Sequence, residues 1–529
     1  MAWCGLGASI VLAMLTRMVF FTGFFGSDEL TYTEVALAIA NGQWDVSNYT
    51  GAVRYGVNLP NALFMTLFGA SEFSANLWSL LCSAGEVGLV FVLAYWLWGC
   101  RAAVLSSAVM ILLPLHVHFG GRLMADAPLA FFITLSFVLF WVAEKRQSAA
   151  WYFATGLAAG FAFWMKEVTV VYCVAFVIYA LIYRTWRFEW LWVVLGGAAA
   201  VGANCLLFWA ITGDLLHLYR VIRGHTAQYA LLRDQIETSP WYYFRYLFID
   251  IRHTWLMPWL AAAGVAVWAR KAIRARVMDR DTGYVVVWAM GLFVVFSFAL
   301  TSTNPLTLIA KQTNYMLMFV APLCMLAGYF LACLPRRWML PVLGTYLVGG
   351  VILSGLEQQA VRVFTANSRA TVVFAREHAE LPVYAMTNAF RAGRYAEMLD
   401  RPGAGKSSIK SISELFPGGA TTDGQSAPSE LKGYAVVDLQ TIDWGWHDPI
   451  KKISDVPACW RRTVTLQPAP ESGLGYRMAA SMLSAAQRLP NVLSARLVPP
   501  FEALVRPKPA YVFSVPATCE PPPTPKEGG

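Results

Sequence analysis

The chain has 529 residues, of which 57% are hydrophobic and only 14% charged, against roughly 45–50% and 25% in an ordinary soluble chain. No soluble fold hides that much apolar surface, so the composition describes a polytopic membrane protein. The net charge of +9 invites a nucleic-acid partner, but Lys and Arg stand in short clusters between apolar runs, at 145–146, 184–187, 270–280 and 336–337. That is the pattern of cytoplasmic loops, and it excludes nucleic acid as the reason for the charge.

The first apolar run, about 5–25, has neither a basic leader nor a small-residue cleavage site, so it reads as a retained span. Further runs fall near 77–98, 102–119, 127–143, 150–165, 168–183, 188–211, 254–269, 283–302, 314–333 and 338–356, which predicts eleven spans. The shortest flank Lys166 and fall below the ~20 residues needed to cross a bilayer, so they are re-entrant or cross where the membrane is thin. Seven of the nine cysteines lie in or beside these runs as small buried hydrophobes. Cys459 and Cys519, in the polar tail, can pair if the tail is exported.

With the N-terminus inside, the short inner loops hold Arg101, Lys145, Arg146, Arg184, Arg187, Arg270, Lys271, Arg274, Arg276, Arg280, Arg336 and Arg337. The short outer loops hold only Arg54, Arg122, Lys166 and Lys311. This asymmetry places the N-terminus in the cytoplasm. The four outer cations resist the bias, which makes each a functional candidate.

Two outer loops are long. Residues 26–76 open on Asp28 and Glu29, and Leu30, Val35, Leu37 and Ile39 then suit a short interfacial helix. Residues 213–253 carry Arg220, Arg223, His225 and the aromatic run WYYFRYLF. After 356 the hydropathy collapses. PVYAM, GYAVVDLQ, RRTVTL and AYVFSV read as strands, 366–378 and 475–488 as helices, and 402–428 as a loop. The expected organisation is therefore a transmembrane domain over 1–356, an extracytoplasmic α/β domain over 357–520 and a disordered tail over 521–529. No internal repeat is apparent.

Five segments resemble a known family. DELTYTEVALAIANGQW with RYGVNLPNALFMTLFG is similar to the first outer loop of polyprenyl-phosphate-sugar-dependent glycosyltransferases, the branch of the GT-C superfamily that holds protein O-mannosyltransferases and lipid A aminoarabinose transferases. HVHFGGRLMADAPLAFF, GLAAGFAFWMKE, SPWYYFRYLF with LMPWL, and KQTNYMLMFVAPL resemble four further blocks in the family order, over roughly 20–333. The resemblance implies a GT-C-like helical membrane fold and an inverting enzyme. It implies a lipid-linked sugar donor, with an envelope glycolipid, a polysaccharide or a protein as acceptor. On these motifs Asp28, Glu29 and Asp126 are the acidic candidates, and Arg54, Arg122, Lys166, Arg223, Lys311 and Tyr315 the donor-phosphate candidates. Tyr55, Glu167 and His225 are further contacts. The oligosaccharyltransferase signature WWDYG is absent, and Trp444–Asp448 (WGWHD) is only a loose echo.

Physical chemistry supports a lipid-linked donor separately. Nucleotide sugars are cytoplasmic, so a site on the outer face needs a membrane carrier. A polyprenyl phosphosugar carries one negative charge and leaves as a phosphate monoester approaching two, so cations near that oxygen favour the transition state. Lys and Arg supply this without a cofactor. Asp279-Arg280-Asp281 falls in an inner loop, and the alternative of a divalent metal rests on His116, His118 and Asp126.

The residues also allow plainer readings. Arg122 and Asp126, at i and i+4, can be a local salt bridge, and Lys166 with Glu167 an ion pair. Lys311 and Tyr315, one turn apart, can be a snorkelling lysine and an interfacial tyrosine. Arg17 can snorkel or pair with Glu86. The runner-up function is a lipid-linked saccharide flippase, which would line a midplane path with its charges.

Overall fold

The structure is a computed structural model that describes residues 2–44, 49–231, 237–303, 306–400, 409–416, 433–445, 448–468 and 473–516. The side chains of 168–170, 225–231, 301–303, 306 and 400 are left aside. Cys519, Trp446, His447 and the 521–529 tail lie outside the described residues, and with Cys519 the pairing to Cys459.

Helices come first along the chain: α1 (Ala2–Val19), α2 (Glu29–Ala40), α3 (Tyr55–Phe68), α4 (Glu72–Trp98), α5 (Cys100–Ile111), α6 (Pro114–Gly120), α7 (Asp126–Arg146) and α8 (Ala149–Met165). There follow α9 (Val174–Tyr183), α10 (Leu191–Thr212), α11 (His217–Leu231), α12 (Tyr242–Phe248), α13 (Met257–Ala275) and α14 (Arg280–Phe298). A short hairpin, β1 (Leu300–Thr303) and β2 (Leu306–Leu308), precedes α15 (Leu317–Cys333) and the long α16 (Arg336–Glu377).

Each of the eleven apolar runs falls on a helix, but not all of these helices are long and apolar enough to cross a membrane by themselves. Among the described residues seven helices are long and apolar enough to cross a membrane, or eight if α5 and α6, bent by 65°, form one span. α8 has 17 residues, α9 has 10, and α13 carries Arg270, Lys271 and Arg274 in its second half. Length sets α8 and α9, and charge sets α13, below that measure.

The chain divides into two compact units. The first comprises 1–21, 35–69 and 73–354; the second comprises 22–34, 70–72 and 355–529. The division thus falls inside α16, and the segment carrying Asp28 and Glu29 groups with the second unit.

In the membrane unit, helices close through small residues where lipid offers no hydrophobic push. α8 and α10 cross at Gly156 and Gly196, where an added Cβ would meet the Val193 and Phe153 carbonyl oxygens at 2.0 and 2.1 Å. A buried polar cluster ties α1, α4, α5, α6 and α7 together. Arg17 Nε donates to Ser83 Oγ at 3.0 Å, its Nη1 donates to the Ile111 carbonyl at 2.9 Å, and its Nη2 meets His116 Nδ1. His116 Nε2 lies 2.9 Å from Glu86, which also accepts from Thr134 at 2.8 Å. Arg17 therefore neither snorkels nor touches Glu86 directly; His116 stands between them.

The second unit is an α/β domain. β3 (Val383–Ala385), α17 (Thr387–Asp400), β4 (Ile409–Ser411), β5 (Gly433–Asp438), β6 (Arg461–Leu466), α18 (Leu474–Gln487), α19 (Asn491–Val505) and β7 (Ala510–Val515) follow α16. The sheet order is β4-β3-β5-β7-β6; β3 runs parallel to β4 and β5, and β7 antiparallel to β5 and β6. Alternation splits the strands between two cores. Tyr384, Ala435, Val437, Phe513 and Val515 pack with Ile412, Phe416 and Trp460, whereas Val383, Ala385, Val436 and Val512 pack with Phe374 of α16 and Ala389 of α17. A strand buried on both faces is apolar throughout, which is why AVV in β5 shows no polar alternation.

Candidate active site

In the membrane unit the site grows from a break in the helices. α8 ends at Lys166, whose backbone is extended (φ −161°, ψ 130°), and a 3₁₀ turn begins at Glu167. Neighbouring side chains on extended backbone point to opposite sides. Lys166 and Glu167 therefore do not pair with each other. Lys166 Nζ donates to Asp126 Oδ1 at 3.0 Å and sits 4.5 Å from the Tyr315 ring centroid. Glu167 turns to Arg54, whose Nη2 donates to its oxygens at 3.3 and 3.4 Å.

Asp126 opens α7, where the free N–H ends of the helix favour a carboxylate. Its other oxygen accepts from Asn314 Nδ2 at 3.0 Å. Arg122 lies on the turn before α7, so the two are not one helical turn apart and the i,i+4 salt bridge does not form. Arg122 Nη1 instead stands 3.2 Å from His118 Nε2, with its guanidinium 5.6 Å from the Phe119 ring. α3 packs on the end of α8 through Gly56, whose carbonyl accepts from Trp78 Nε1 at 3.1 Å, and this sets Arg54 at the mouth of that helix. Tyr55 is buried, edge-on to Phe208, in a cluster with Val53 and Val221 of α11.

The structure thus brings Lys166, Asp126 and Tyr315 together, and Arg54 with Glu167. Lys311 stands apart from Tyr315: it precedes the 3₁₀ turn Thr313–Met316 and donates to the carbonyls of Phe296 and Ser297, at 2.6 and 3.0 Å, at the C-terminal end of α14. It lies outside the spans, and burial pulls its ammonium down to about 8. Arg223 is exposed on α11, and the side chain of His225 lies outside the described residues. Sequence reasoning missed Asn314; the signal was polar Gln312-Thr313-Asn314 abutting an apolar run.

The metal alternative meets a geometric obstacle. His116 faces Arg17 and Glu86, while His118 faces Arg122, so neither joins Asp126. Among the described residues no group of three or more His, Cys, Asp or Glu is placed to hold a metal ion. Asp279 and Asp281 have structural duties: Asp279 caps α14 and Asp281 pairs with Lys145 at 2.7 Å.

In the second unit, Asp28 and Glu29 part ways. Asp28 is half-buried and its carbonyl accepts the first helical bond of α2, from Tyr32 N at 3.1 Å. Glu29 is buried and accepts from the Ser27 backbone N–H at 2.8 Å. Of the adjacent carboxylates, Asp28 is the less buried and Glu29 the one folded back onto its own chain.

Residues 57–209 match the family model of dolichyl-phosphate-mannose-protein mannosyltransferase. The chain is 26% identical over 325 residues to undecaprenyl phosphate-alpha-4-amino-4-deoxy-L-arabinose arabinosyl transferase of Aeromonas hydrophila, covering 56% of this chain and 54% of that protein. It is 24% identical over 324 residues to the protein of the same name in Erwinia tasmaniensis, covering 57% and 54%. The match spans about half the length of these relatives. Among solved structures, ArnT from Cupriavidus metallidurans in the apo state superimposes with a TM-score of 0.57 at 18% identity, over 87% of this chain and 95% of that one. The oligosaccharyltransferase of Archaeoglobus fulgidus, in complex with Zn and sulfate, gives 0.52 at 12% identity, over 88% and 72%.

Proposed function

We propose that this chain, which has the fold of the GT-C superfamily of glycosyltransferases, moves a sugar from a polyprenyl phosphate to an acceptor hydroxyl at the outer face of a bacterial inner membrane. The acceptor is a lipid, polysaccharide or protein. The observation that carries this reading is the double ion pair at Lys166 and Glu167: two cations held in an apolar unit, where charge is costly without a task.

In this reading the acceptor oxygen attacks the anomeric carbon, the bond from that carbon to the phosphate oxygen breaks, and the configuration inverts. The hydroxyl proton passes to the Asp28 carboxylate. Polyprenyl phosphate departs as a monoester with nearly one more negative charge than the diester. Lys166 and Arg54 take up that charge by re-pairing, each loosening from a carboxylate as the phosphate arrives. Asn314 orients Asp126, and Asp126 holds Lys166 in place beforehand, so the ammonium is already positioned when the phosphate arrives.

The test compares envelope glycolipids and glycoproteins by mass spectrometry in cells with and without the protein, and with Asp28→Asn. A sugar-modified species that disappears in both deficient strains supports the proposal. Unchanged envelope composition on deletion overturns it. A lipid-linked sugar accumulating on the inner leaflet, with transfer intact, would move the assignment to transport.

A further inference from the structure

The segment that carries Asp28 is anchored from the α/β side, and the anchors share one stripe of one helix. Asn388, Arg391, Ala392 and Tyr395 of α17 are spaced i, i+3, i+4, i+7, so they line a single face. Arg391 Nη1 donates to the Gly26 carbonyl at 2.9 Å. Phe24 packs into a buried cluster with Ala392 and Tyr395, its ring 5.0 Å from that of Tyr395. Asn388, itself held by Ser368 at 3.1 Å, stands against Gly26 so closely that a Cβ there would lie 1.7 Å from its Oδ1. Gly26 also has φ +103°, a conformation that other residues adopt only with strain. On the far side of Asp28, Arg394 bridges to Glu34 at 3.1 Å.

The helix that makes these contacts is anchored in turn. Asp448 is buried and accepts from the Thr387 backbone N–H at 3.1 Å and from its hydroxyl at 2.7 Å, which fixes the first residue of α17. The guanidinium of Arg391 lies 5.4 Å from the ring of Trp444, which limits its rotamers. Trp444 meets Phe364 edge-on, and Phe364 stacks on Phe25, so the aromatic contacts return to the same segment. Trp444 and Asp448, an idle echo as sequence, bracket the anchor.

We infer that Arg391 is a positioning residue for the reaction: through the Gly26 carbonyl it fixes the backbone two residues before Asp28 and so sets where that carboxylate meets the acceptor. This rests on the reading of Asp28 as the base. The α/β domain is then part of the catalytic apparatus through the segment that it anchors.

The experiment expresses the full-length chain in cells lacking it, as wild type, Arg391→Ala, Arg391→Lys and Asp28→Asn. Three quantities are measured: product per unit of protein by mass spectrometry, affinity of the purified protein for undecaprenyl phosphate, and amide hydrogen exchange over residues 22–34. A small displacement of a catalytic group costs up to roughly 100-fold, so Arg391→Ala should lose roughly 10–100-fold in product. Its undecaprenyl phosphate affinity should not change, and exchange at 22–34 should accelerate. Arg391→Lys, which can still donate one hydrogen bond, should recover part of the product. Asp28→Asn should lose product without faster exchange. Wild-type product and exchange in Arg391→Ala would overturn the inference. If Asp28→Asn keeps full product, the base assignment fails, and the anchoring is decided by exchange: faster in Arg391→Ala supports it, unchanged refutes it. Should Arg391→Ala fail to accumulate, Arg394→Ala at the exposed pair with Glu34 is the second variant, with faster exchange confined to 22–34 expected and unchanged exchange counting against anchoring.

Discussion

The membrane unit buries two sets of opposed charges, one around Arg17 and Glu86 and one around Lys166 and Asp126, and they are built to different ends. In the first, all three guanidinium nitrogens of Arg17 and both carboxylate oxygens of Glu86 have partners, two of those partners are backbone carbonyls, and the His116 and Glu86 side chains are 1% and 0% exposed. In the second, Lys166 and Asp126 are nearly as deep at 7% and 2%, but the adjoining pair opens outward, with the Glu167 side chain 27% exposed. A sealed and fully bonded cluster ties helices together. On the proposed reading, a cluster with one open side and a cation held by a single carboxylate exchanges that carboxylate for an arriving phosphate.

The largest expected effect breaks the sealed set. Arg17→Met leaves Glu86 its bonds to His116 and Thr134 but removes the buried cation that balances its charge through His116, and a buried charge without its counter-charge costs ~3–5 kcal/mol. Thermal unfolding of the purified protein should fall accordingly, while the folded fraction binds undecaprenyl phosphate normally. Normal stability with lost affinity would make this cluster part of the donor site and end the distinction.

Next comes Lys166→Met, which removes a charge-assisted contact worth ~1.5–3 kcal/mol, or roughly 10–150-fold in undecaprenyl phosphate affinity. Because that change also strands Asp126, the exchange Lys166→Asp with Asp126→Lys is the control. It keeps the pair and hence the stability, but should not restore affinity. Full affinity in the exchanged protein would mean that Lys166 serves only its partner.

How much of this was legible follows from what sequence encodes. Each apolar run located a helix, because hydropathy is local, while α3, α17 and α19, which lie on no such run, were not read. Lys166 was legible as an anomaly, a cation where the orientation bias opposes one. Its partner was not: adjacency suggested Glu167, but extended backbone at the end of α8 sends 166 and 167 to opposite sides. The i,i+4 spacing of Arg122 and Asp126 misled similarly, since it implies contact only if both are helical, and α7 starts at Asp126 itself. Three of the strands read from the tail were visible as apolar runs and β6 by its β-branched Thr-Val-Thr, while β4, three residues long, was lost in a Gly/Ser-rich stretch. The grouping of residues 22–34 with the α/β unit joins positions more than 350 apart, and no pattern along the chain encodes it.

A smaller effect sharpens the open side. On the proposed reading Glu167 competes with an incoming phosphate for Arg54, and partly exposed pairs contribute about 0.2–1 kcal/mol. Glu167→Gln should therefore raise undecaprenyl phosphate affinity, by no more than about fivefold. Weaker binding instead would show that Glu167 orients Arg54 rather than competing for its ligand.

Lys311 gives the finest test, because two roles predict opposite pH behaviour. Its ammonium is buried, donates to the last carbonyls of α14 and lies 5.8 Å from the Tyr243 ring. Burial lowers it from 10.5 to about 8. Between pH 8 and 10.5 the unfolded chain then binds more protons than the folded one, so stability rises with pH across that window. Below it, the cost of burying the charge is fully present. A neutral amine still has two hydrogens for the two carbonyls, so deprotonation relieves that cost without breaking the cap. Relative to Lys311→Met, the wild type should therefore gain thermal stability as pH rises above 8, and their undecaprenyl phosphate affinities should keep a constant ratio. A phosphate ligand would behave in the opposite way. With a second phosphate pKa near ~6, the probe is already dianionic in this range, so deprotonation of a liganding lysine would weaken wild-type binding alone. An affinity ratio that falls above pH 8 would return Lys311 to the donor site; a constant ratio leaves it as the cap of α14.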